Sequence, residues 1–266
     1  MDLRPLFDPL KYDRPMKVAA FMSGSGTNIV KLLEHERRLE KEEGRSPFEV
    51  VFIYSDRSDG RCRGEAIALE HGLPYFSLDI RAFHRRRGIQ RTVATPEGMA
   101  AREEYDAVAR RLVSAFGADV IALGGYMSYT TLKGCVNVHP ADLSIKNPDG
   151  SRKYVGDNAV LDAIAAGERK LRASTLWTDR GVDTGPLLMV SAPLEVALPD
   201  SLEGLKADPE RLQRVADEHQ ERLKEIGDWV IFPRTVEMIA LGRFSLDTKN
   251  RVYADSSLVE DGFRIA

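Results

Sequence analysis

The chain has 266 residues, with 38 Lys plus Arg against 41 Asp plus Glu and a formal net charge of −3. That length suits one large domain or two small ones with a substantial core, and the charge balance offers no basic field for nucleic acid or anionic lipid. No apolar run reaches the length of a membrane span, the acids and prolines near the N-terminus do not make a signal peptide, and Cys62 and Cys135 stand outside any CxxC pair, so a soluble cytoplasmic protein without a metal site is expected.

Residues 1–16 read as an irregular arm. Lys17-Val18-Ala19-Ala20-Phe21-Met22 is an apolar run that stops at Ser23-Gly24, the pattern of a buried strand. Residues 27–38 follow as a helix, 48–54 as a second strand, 64–71 as a helix ended by Gly72, and 75–78 as a third strand. This alternation of strand and helix signals a parallel sheet with helices on its faces. Residues 81–98 carry Arg85-Arg86-Arg87 and break the rhythm, as a charged surface insertion would. Thr95-Pro96-Glu97 then opens a long helix, with Thr95 as cap and Pro96 in the first position. Its apolar stripe is Ala101, Tyr105, Val108, Leu112 and Phe116, and Gly117 ends it.

Residues 119–123 and 134–138 read as the fourth and fifth strands. His139 therefore falls at a strand's carboxyl end, where ligands gather in open α/β sheets. Asn147-Pro148-Asp149-Gly150-Ser151 reads as a turn or mobile loop. Residues 158–166 form a short helix, and 171–178 and 187–196 are strand candidates joined by a loop that carries Asp183. Residues 209–242 are mostly helical, and 244–253 close the chain as a hairpin. His35, His71, His84 and His219 sit in charged contexts and read as surface residues, and Asp228 as either a solvated helix residue or a carboxylate that receives a substrate amine or hydroxyl.

Two patterns carry chemistry. The first is Ser23-Gly24-Ser25-Gly26-Thr27-Asn28, between the first strand and the first helix. Glycines let a ligand approach the backbone, and the helix that follows offers unpaired N–H groups, so the turn suits an anion, most simply a phosphate. It is neither a P-loop nor GxGxxG, and a plain strand–helix turn is the alternative. The second is Asn137-Val138-His139-Pro140 with the distant Val182-Asp183-Thr184-Gly185-Pro186. Acyl transfer to an amine needs donors for an oxyanion and an acceptor for a proton. An amide, an imidazole and a carboxylate supply these. On an extended segment Asn137 and His139 project to one face and Val138 to the other, into a core.

Taken together, and with Arg102-Glu103-Glu104-Tyr105-Asp106, Gly125-Tyr126-Met127, Ile231-Phe232-Pro233 and Gly242-Arg243-Phe244 in this order, these residues resemble the phosphoribosylglycinamide formyltransferases, within the folate-dependent formyltransferase family. The resemblance covers most of residues 17–255 and leaves 256–266 as a tail. It implies a Rossmann-like formyltransferase fold, α/β with a mostly parallel sheet, helices on both faces and a C-terminal helix plus hairpin. It implies 10-formyltetrahydrofolate as co-substrate, with the primary amine of glycinamide ribonucleotide as acceptor in purine synthesis. Asn137, His139 and Asp183 match the catalytic positions. Gly24, Ser25, Gly26, Thr27 and Asn28 match the phosphate turn, and Glu225 and Asp228 the segment that holds the acceptor's glycinamide and ribose. Arg102, Met127, Ser128, Tyr129 and Thr130 match folate-contacting positions, as do Asp179, Arg180, Gly181 and Val182 in the loop that cups the pterin. In the implied mechanism Asp183 raises the pKa of His139, whose cation binds the oxyanion.

The chain departs from the family pattern at several places. Ser128 stands where Arg is common, and Leu176-Trp177 where a His is common. The usual Ser-Leu-Leu-Pro after His-Pro is Ala141-Asp142-Leu143-Ser144, followed by a polar loop to Tyr154. Insertions near 81–98 and 199–215 lengthen the chain. The alternatives are a formyltetrahydrofolate deformylase, a methionyl-tRNA formyltransferase, a formyltransferase for another phosphorylated amine, or a folate- or nucleotide-binding regulator without activity. The expected partners are small molecules, and the expected state is a monomer or homodimer.

Overall fold

A computed structural model describes residues 2–265. In chain order the elements are β1 (Arg4–Pro5), β2 (Met16–Met22), α1 (Thr27–Glu43), β3 (Phe48–Ser55), α2 (Gly64–His71), β4 (Tyr75–Ser77), α3 (Ile80–Arg87), α4 (Pro96–Phe116), β5 (Val120–Leu123) and β6 (Cys135–His139). Then come α5 (Ala159–Ala165), β7 (Lys170–Leu171), β8 (Ser174–Trp177), β9 (Leu187–Val190), β10 (Leu194–Glu195), α6 (Leu202–Lys206) and α7 (Pro209–Leu223). A π-helical turn (Lys224–Asp228) leads into α8 (Trp229–Ala240), and β11 (Phe244–Leu246), β12 (Val252–Ala254), β13 (Ser257–Leu258) and β14 (Phe263–Arg264) end the chain. The chain divides into two compact units, and the division falls inside β6, between Asn137 and Val138.

The first unit holds Leu6–Asn137 and Ile239–Gly242. Its strands are all parallel and run in the order β6-β5-β2-β3-β4. Every residue of β2 but Lys17 is buried, which is why the run is continuously apolar rather than alternating. Phe21, Phe52 and Tyr54 pack with Tyr126 and Leu132 in one cluster, Phe21 and Tyr54 at a ring separation of 4.7 Å. The ladder between β2 and β3 shifts register at Val18/Ala19, and there Glu36 of α1 accepts the Val50 N–H at 3.3 Å. Helix α4 starts as read, with Thr95 Oγ1 accepting the Gly98 N–H at 3.1 Å.

One expectation for this unit is corrected, and two gain detail. The charged stretch at 81–98 begins with a helix, because Arg85, Arg86 and Arg87 all lie in α3, capped by Asp79 at its start and by left-handed Gly88 at its end. Only Ile80 and His84 of that helix are buried, so the charged residues conceal its short apolar face. The stripe of α4 is rotated: Val108 is exposed, while Arg102 and Asp106 are buried as an ion pair at 2.6 Å. The arm is ordered by specific contacts. Phe7 is buried and stacked on Tyr12, and Arg14 makes two hydrogen bonds to Asp119 at 2.7 and 3.0 Å.

The second unit holds Val138–Met238, the residues from Arg243 onward, and β1. β8 pairs antiparallel with β9, and β14 pairs parallel with the other edge of β9. The tail is thus not loose, because Phe263 and Arg264 extend a sheet beside Met189 and Val190. β1, β11, β12 and β13 form an antiparallel meander, so part of the arm also carries a strand. The expected strand 187–196 breaks at Ser191, whose hydroxyl accepts the Ala173 N–H at 2.9 Å and donates to the Ala192 carbonyl. The charged region at 199–215 is helical, with Ser201 capping α6 and Asp208 capping α7.

His219 is buried, contrary to the surface reading. Its Nδ1 donates to the Val215 carbonyl at 2.7 Å and its Nε2 accepts the Ala197 N–H at 3.2 Å, which assigns the ring hydrogen to Nδ1. His84, in the first unit, is buried as well, at 3% exposure.

Candidate active site

His139 ends β6, and Val138 before it is buried. The alternation of a strand puts Asn137 and His139 on one face. The imidazole is 6% exposed. Its Nε2 lies 3.1 Å from the Tyr154 carbonyl oxygen, which can only accept, so Nε2 carries a proton. Its Nδ1 lies 3.5 Å from Asp183 Oδ2. The remote carboxylate and the strand-end imidazole thus meet, as the sequence pattern required.

The expected pKa effect is reversed in balance. Burial lowers the pKa of His139, and the pull of Asp183 in the other direction does not overcome it. Arg152 adds to the lowering, while the Tyr154 carbonyl and Asp157 oppose it. A second proton therefore enters the ring less readily than in water. When it does, it lands on Nδ1, facing the carboxylate.

Asp183 sits in a constrained loop. Its φ is +53°, a left-handed conformation that costs a residue with a Cβ about 1–2 kcal/mol. A Cβ on Gly185 would fall 2.0 Å from the Trp177 carbonyl oxygen, so only glycine fits there. Asp183 Oδ2 accepts the Gly156 N–H at 3.1 Å. Arg152 donates from Nη1 to the Asp183 carbonyl and from Nη2 to the Gly185 carbonyl at 2.7 Å. Asp179, Arg180, Gly181 and Val182 form an exposed loop closed on itself, with Asp179 Oδ1 accepting from the Gly181 N–H and the Thr184 hydroxyl. Arg152, Tyr154 and Gly156 were not among the candidate site residues read from the sequence. They follow a turn whose composition announces only a loop, and nothing local signals that its far end reaches Asp183.

Glu225 and Asp228 lie in the π-helical turn. Glu225 is exposed and Asp228 is buried, so the solvated-helix alternative for Asp228 does not hold. A Cβ on Gly227 would stand 2.8 Å from the Ala173 Cβ, so this glycine lets the turn approach the start of β8. Single π turns are frequent at functional sites.

In the first unit, the turn at residues 23–28 is pinned on both sides. Ser23 N–H donates to the Gly125 carbonyl at 3.1 Å, Ser23 Oγ accepts the Met127 N–H at 2.9 Å, and the Gly24 carbonyl accepts the Arg63 N–H at 3.1 Å. Gly26 has φ +72°, and a Cβ there would collide with Met22 Cε at 2.4 Å. No side chain caps α1. Its first N–H groups are thus left to a ligand or water, in contrast to the capped α3 and α4. Ser25 is exposed, and Gly24, Thr27 and Asn28 are half-buried.

The residues matched to folate divide. Met127 is 69% exposed and Tyr129 half-buried. Ser128 donates its hydroxyl to the buried carboxylate of Asp56. Arg102 is corrected: it is 2% exposed, and its guanidinium is used by Asp106 at 3.0 and 2.6 Å and by the Tyr126 hydroxyl at 3.2 Å. Burial works against its charge, but Asp106 and Tyr126 more than compensate and its pKa rises. Asp106 also accepts from the Thr131 N–H at 2.6 Å and from the hydroxyls of Thr130 and Thr131. The pair therefore braces the 127–131 segment from beneath, and Thr130 is buried as part of that brace.

Residues 16–220 match the formyl transferase family model. The chain belongs to the formyl transferase family. A curated relative, the trifunctional purine biosynthetic protein adenosine-3 of Drosophila melanogaster, is 27% identical over 237 residues, which is 86% of this chain and 14% of that protein. The chain thus spans about one-seventh of that relative's length. The phosphoribosylglycinamide formyltransferase of Mycobacterium tuberculosis is 26% identical over 65% of this chain and 69% of its own length. Among solved structures, a phosphoribosylglycinamide formyltransferase from Coxiella burnetii superposes with a TM-score of 0.66 at 22% identity, covering 95% of this chain and all of that one. That likeness establishes a shared fold. Among the described residues, no helix is long and apolar enough to cross a membrane.

Proposed function

We propose that this formyl transferase moves a formyl group from 10-formyltetrahydrofolate to the primary amine of glycinamide ribonucleotide. The observation that carries the reading is the His139–Asp183 pair at 3.5 Å, on a strand end that bears Asn137 two residues earlier. The family match and the relatives named above support the donor and the acceptor.

In this reading the acceptor amine attacks the formyl carbon, and the carbonyl π pair moves to oxygen. The Asn137 amide and the His139 Nε2–H hold that oxygen. The Nε2–H donates to the neutral Tyr154 carbonyl, and a charged oxyanion is the stronger acceptor. Asp183 takes the proton released by the attacking nitrogen. It returns it to the folate nitrogen as the bond from that nitrogen to the formyl carbon breaks. The 23–28 turn, with its uncapped helix start, anchors the phosphate of the acceptor, and binding energy there becomes positioning of the amine. Glu225 and Asp228 serve the amine and ribose. Residues 127–130 and, separately, 179–182 serve the pterin, with Arg102 bracing the first segment from behind. The substrates are small molecules, in a cytoplasmic setting.

The test is a formyl-transfer assay with 10-formyltetrahydrofolate, glycinamide ribonucleotide, a panel of other phosphorylated amines, and water as control. Fast transfer to glycinamide ribonucleotide supports the reading, whereas formate release without any amine turns it toward hydrolysis. Asn137→Ala, His139→Ala and Asp183→Asn are each expected to lower kcat by about 10²–10³, or 3–4 kcal/mol, with circular dichroism unchanged. A folded His139→Ala protein with near-normal turnover would remove His139 from the mechanism.

A further inference from the structure

Arg152 holds a charge in a half-buried position, and among the described residues no carboxylate is hydrogen-bonded to it. Its guanidinium is spent on two backbone carbonyls, those of Asp183 and Gly185. Burial lowers its pKa and the nearby carboxylates Asp183 and Asp179 oppose this, yet an arginine stays charged throughout the working range. A buried cation is a poor way to stabilise a fold, since its desolvation offsets most of what its hydrogen bonds contribute. Its placement makes more sense as a device for geometry.

One of the two carbonyls it grips belongs to the left-handed residue itself, and the other lies two residues further on. Asp183 is left-handed at φ +53°, and an aspartate released from restraint relaxes toward a right-handed or extended conformation. Relaxation would swing the carboxylate away from the Gly156 N–H and from His139. Arg152 is itself well held. The Asn147 N–H donates to the Ser151 carbonyl at 2.8 Å, Lys153 N–H to the Ile145 carbonyl at 3.0 Å, and Lys146 bridges to Arg152. Asp149 Oδ1 accepts from the Ser151 N–H and hydroxyl at 2.9 and 2.6 Å. Just beyond, the Tyr154 hydroxyl donates to Glu168 at 2.6 Å. One short, internally bonded hairpin thus delivers the clamp on Asp183 and the carbonyl on His139 Nε2.

We propose that Arg152 is a positioning residue: through the carbonyls of Asp183 and Gly185 it holds Asp183 left-handed, with its carboxylate against His139. The proposal rests on the formyl-transfer reading for its consequence in turnover, but its geometric content is testable without it.

The experiment compares Arg152→Met, Arg152→Lys, Asp183→Asn and the Arg152→Met/Asp183→Asn double variant, each as the full chain. Arg152→Met is expected to lower kcat by about 30–100-fold, with KM for 10-formyltetrahydrofolate and for the amine changed by less than about threefold. Arg152→Lys recovers part of the loss, because a lysine reaches one carbonyl but not both. The double variant is no slower than Asp183→Asn alone, since Arg152 acts through that carboxylate. The second readout uses imidazole nitrogen NMR of His139, whose charged surroundings are Asp183, Arg152 and Asp157. Asp183→Asn lowers its titration midpoint in the native background. In the Arg152→Met background it leaves the midpoint unmoved, and because both members of that pair lack the guanidinium, its own charge cancels. Turnover of Arg152→Met within about twofold of the native chain, losses that multiply in the double variant, or an undiminished Asp183→Asn shift without Arg152 would each overturn the proposal. Should the native chain transfer no formyl group, the functional reading falls while the NMR comparison still decides whether Arg152 positions Asp183.

Discussion

Single side chains decide much of this protein's pH response. His84 is buried with neither ring nitrogen hydrogen-bonded among the described residues, and burial together with Arg102, Arg91 and Arg87 lowers its pKa. With the folded value below the unfolded one, the unfolded chain binds the proton first. Stability is therefore lost as pH falls through the unfolded value, near 6.5. His84→Leu removes both ring nitrogens. Its denaturation midpoint should exceed the native chain's by a margin that grows between about pH 8 and pH 5. A constant margin across that range would count against His84 as the titrating group. Glu36 behaves in the opposite sense. Burial, with Glu40 and Glu49 nearby, pushes its carboxyl up to about 7 against the Val50 N–H that favours the anion. The folded protein then holds a proton that the unfolded chain has released, so stability falls as pH rises from 4.5 to about 7. Glu36→Gln keeps an acceptor for Val50 and should gain about 3 kcal/mol above pH 7 but almost nothing near pH 4, measured by urea melts at both pH values. Sequence could place Glu36 on the inner face of a helix. It could not say that a register shift in β3 leaves an N–H for it to meet.

Elements with strong end signals were readable, and those defined by partners were not. Helix α4 carried its cap, its proline and its terminal glycine in the sequence, and the structure keeps all three. Helix α3 carried a run of arginines that outweighed its two buried residues. The rotation of α4, with Arg102 and Asp106 inward and Val108 outward, has the same origin: a paired cation reads as a surface residue until its anion is located. The Asp183 loop shows how closely an element can be fitted. Gly185 abuts the Trp177 carbonyl with no space for a methyl group, and the obstacle is backbone rather than a side chain that could turn aside. Gly185→Ala should cost about 1–3 kcal/mol and displace the loop, with turnover falling alongside stability. A variant with native kcat and native melting temperature would show that the loop tolerates the shift.

At the scale of the molecule, short strands at Arg4–Pro5 and Phe263–Arg264 prove to be structural. β14 lines the edge of β9 beyond the point where the family resemblance stopped. Gly262, at φ +77°, brings the chain against Leu187 and Val190, a separation that a Cβ would cut to 3.0 Å. A chain ending at Asp255 should therefore melt about 5 °C lower, since each kcal/mol shifts a protein of this size by about 2–4 °C. An unchanged melting temperature would return residues 256–265 to the status of a tail. β1 plays a similar part against β11, and the Arg14–Asp119 pair ties the rest of the arm within the first unit.

The sequence alone determined the alternation of strand and helix, the glycine turn ahead of α1, and three polar residues whose types fit acyl transfer. These depend on local periodicity, on turn chemistry and on side-chain functional groups, all of which are properties of short stretches. Only the tertiary structure decided that His139 stays closer to neutral than its acidic neighbour would suggest, that Arg102 braces a loop from within, and that Arg152 and Tyr154 close around the His139–Asp183 pair. Those outcomes depend on burial and on contacts between residues far apart in the chain. Desolvation and long-range hydrogen bonding are set by what surrounds a group, which its sequence neighbours do not record.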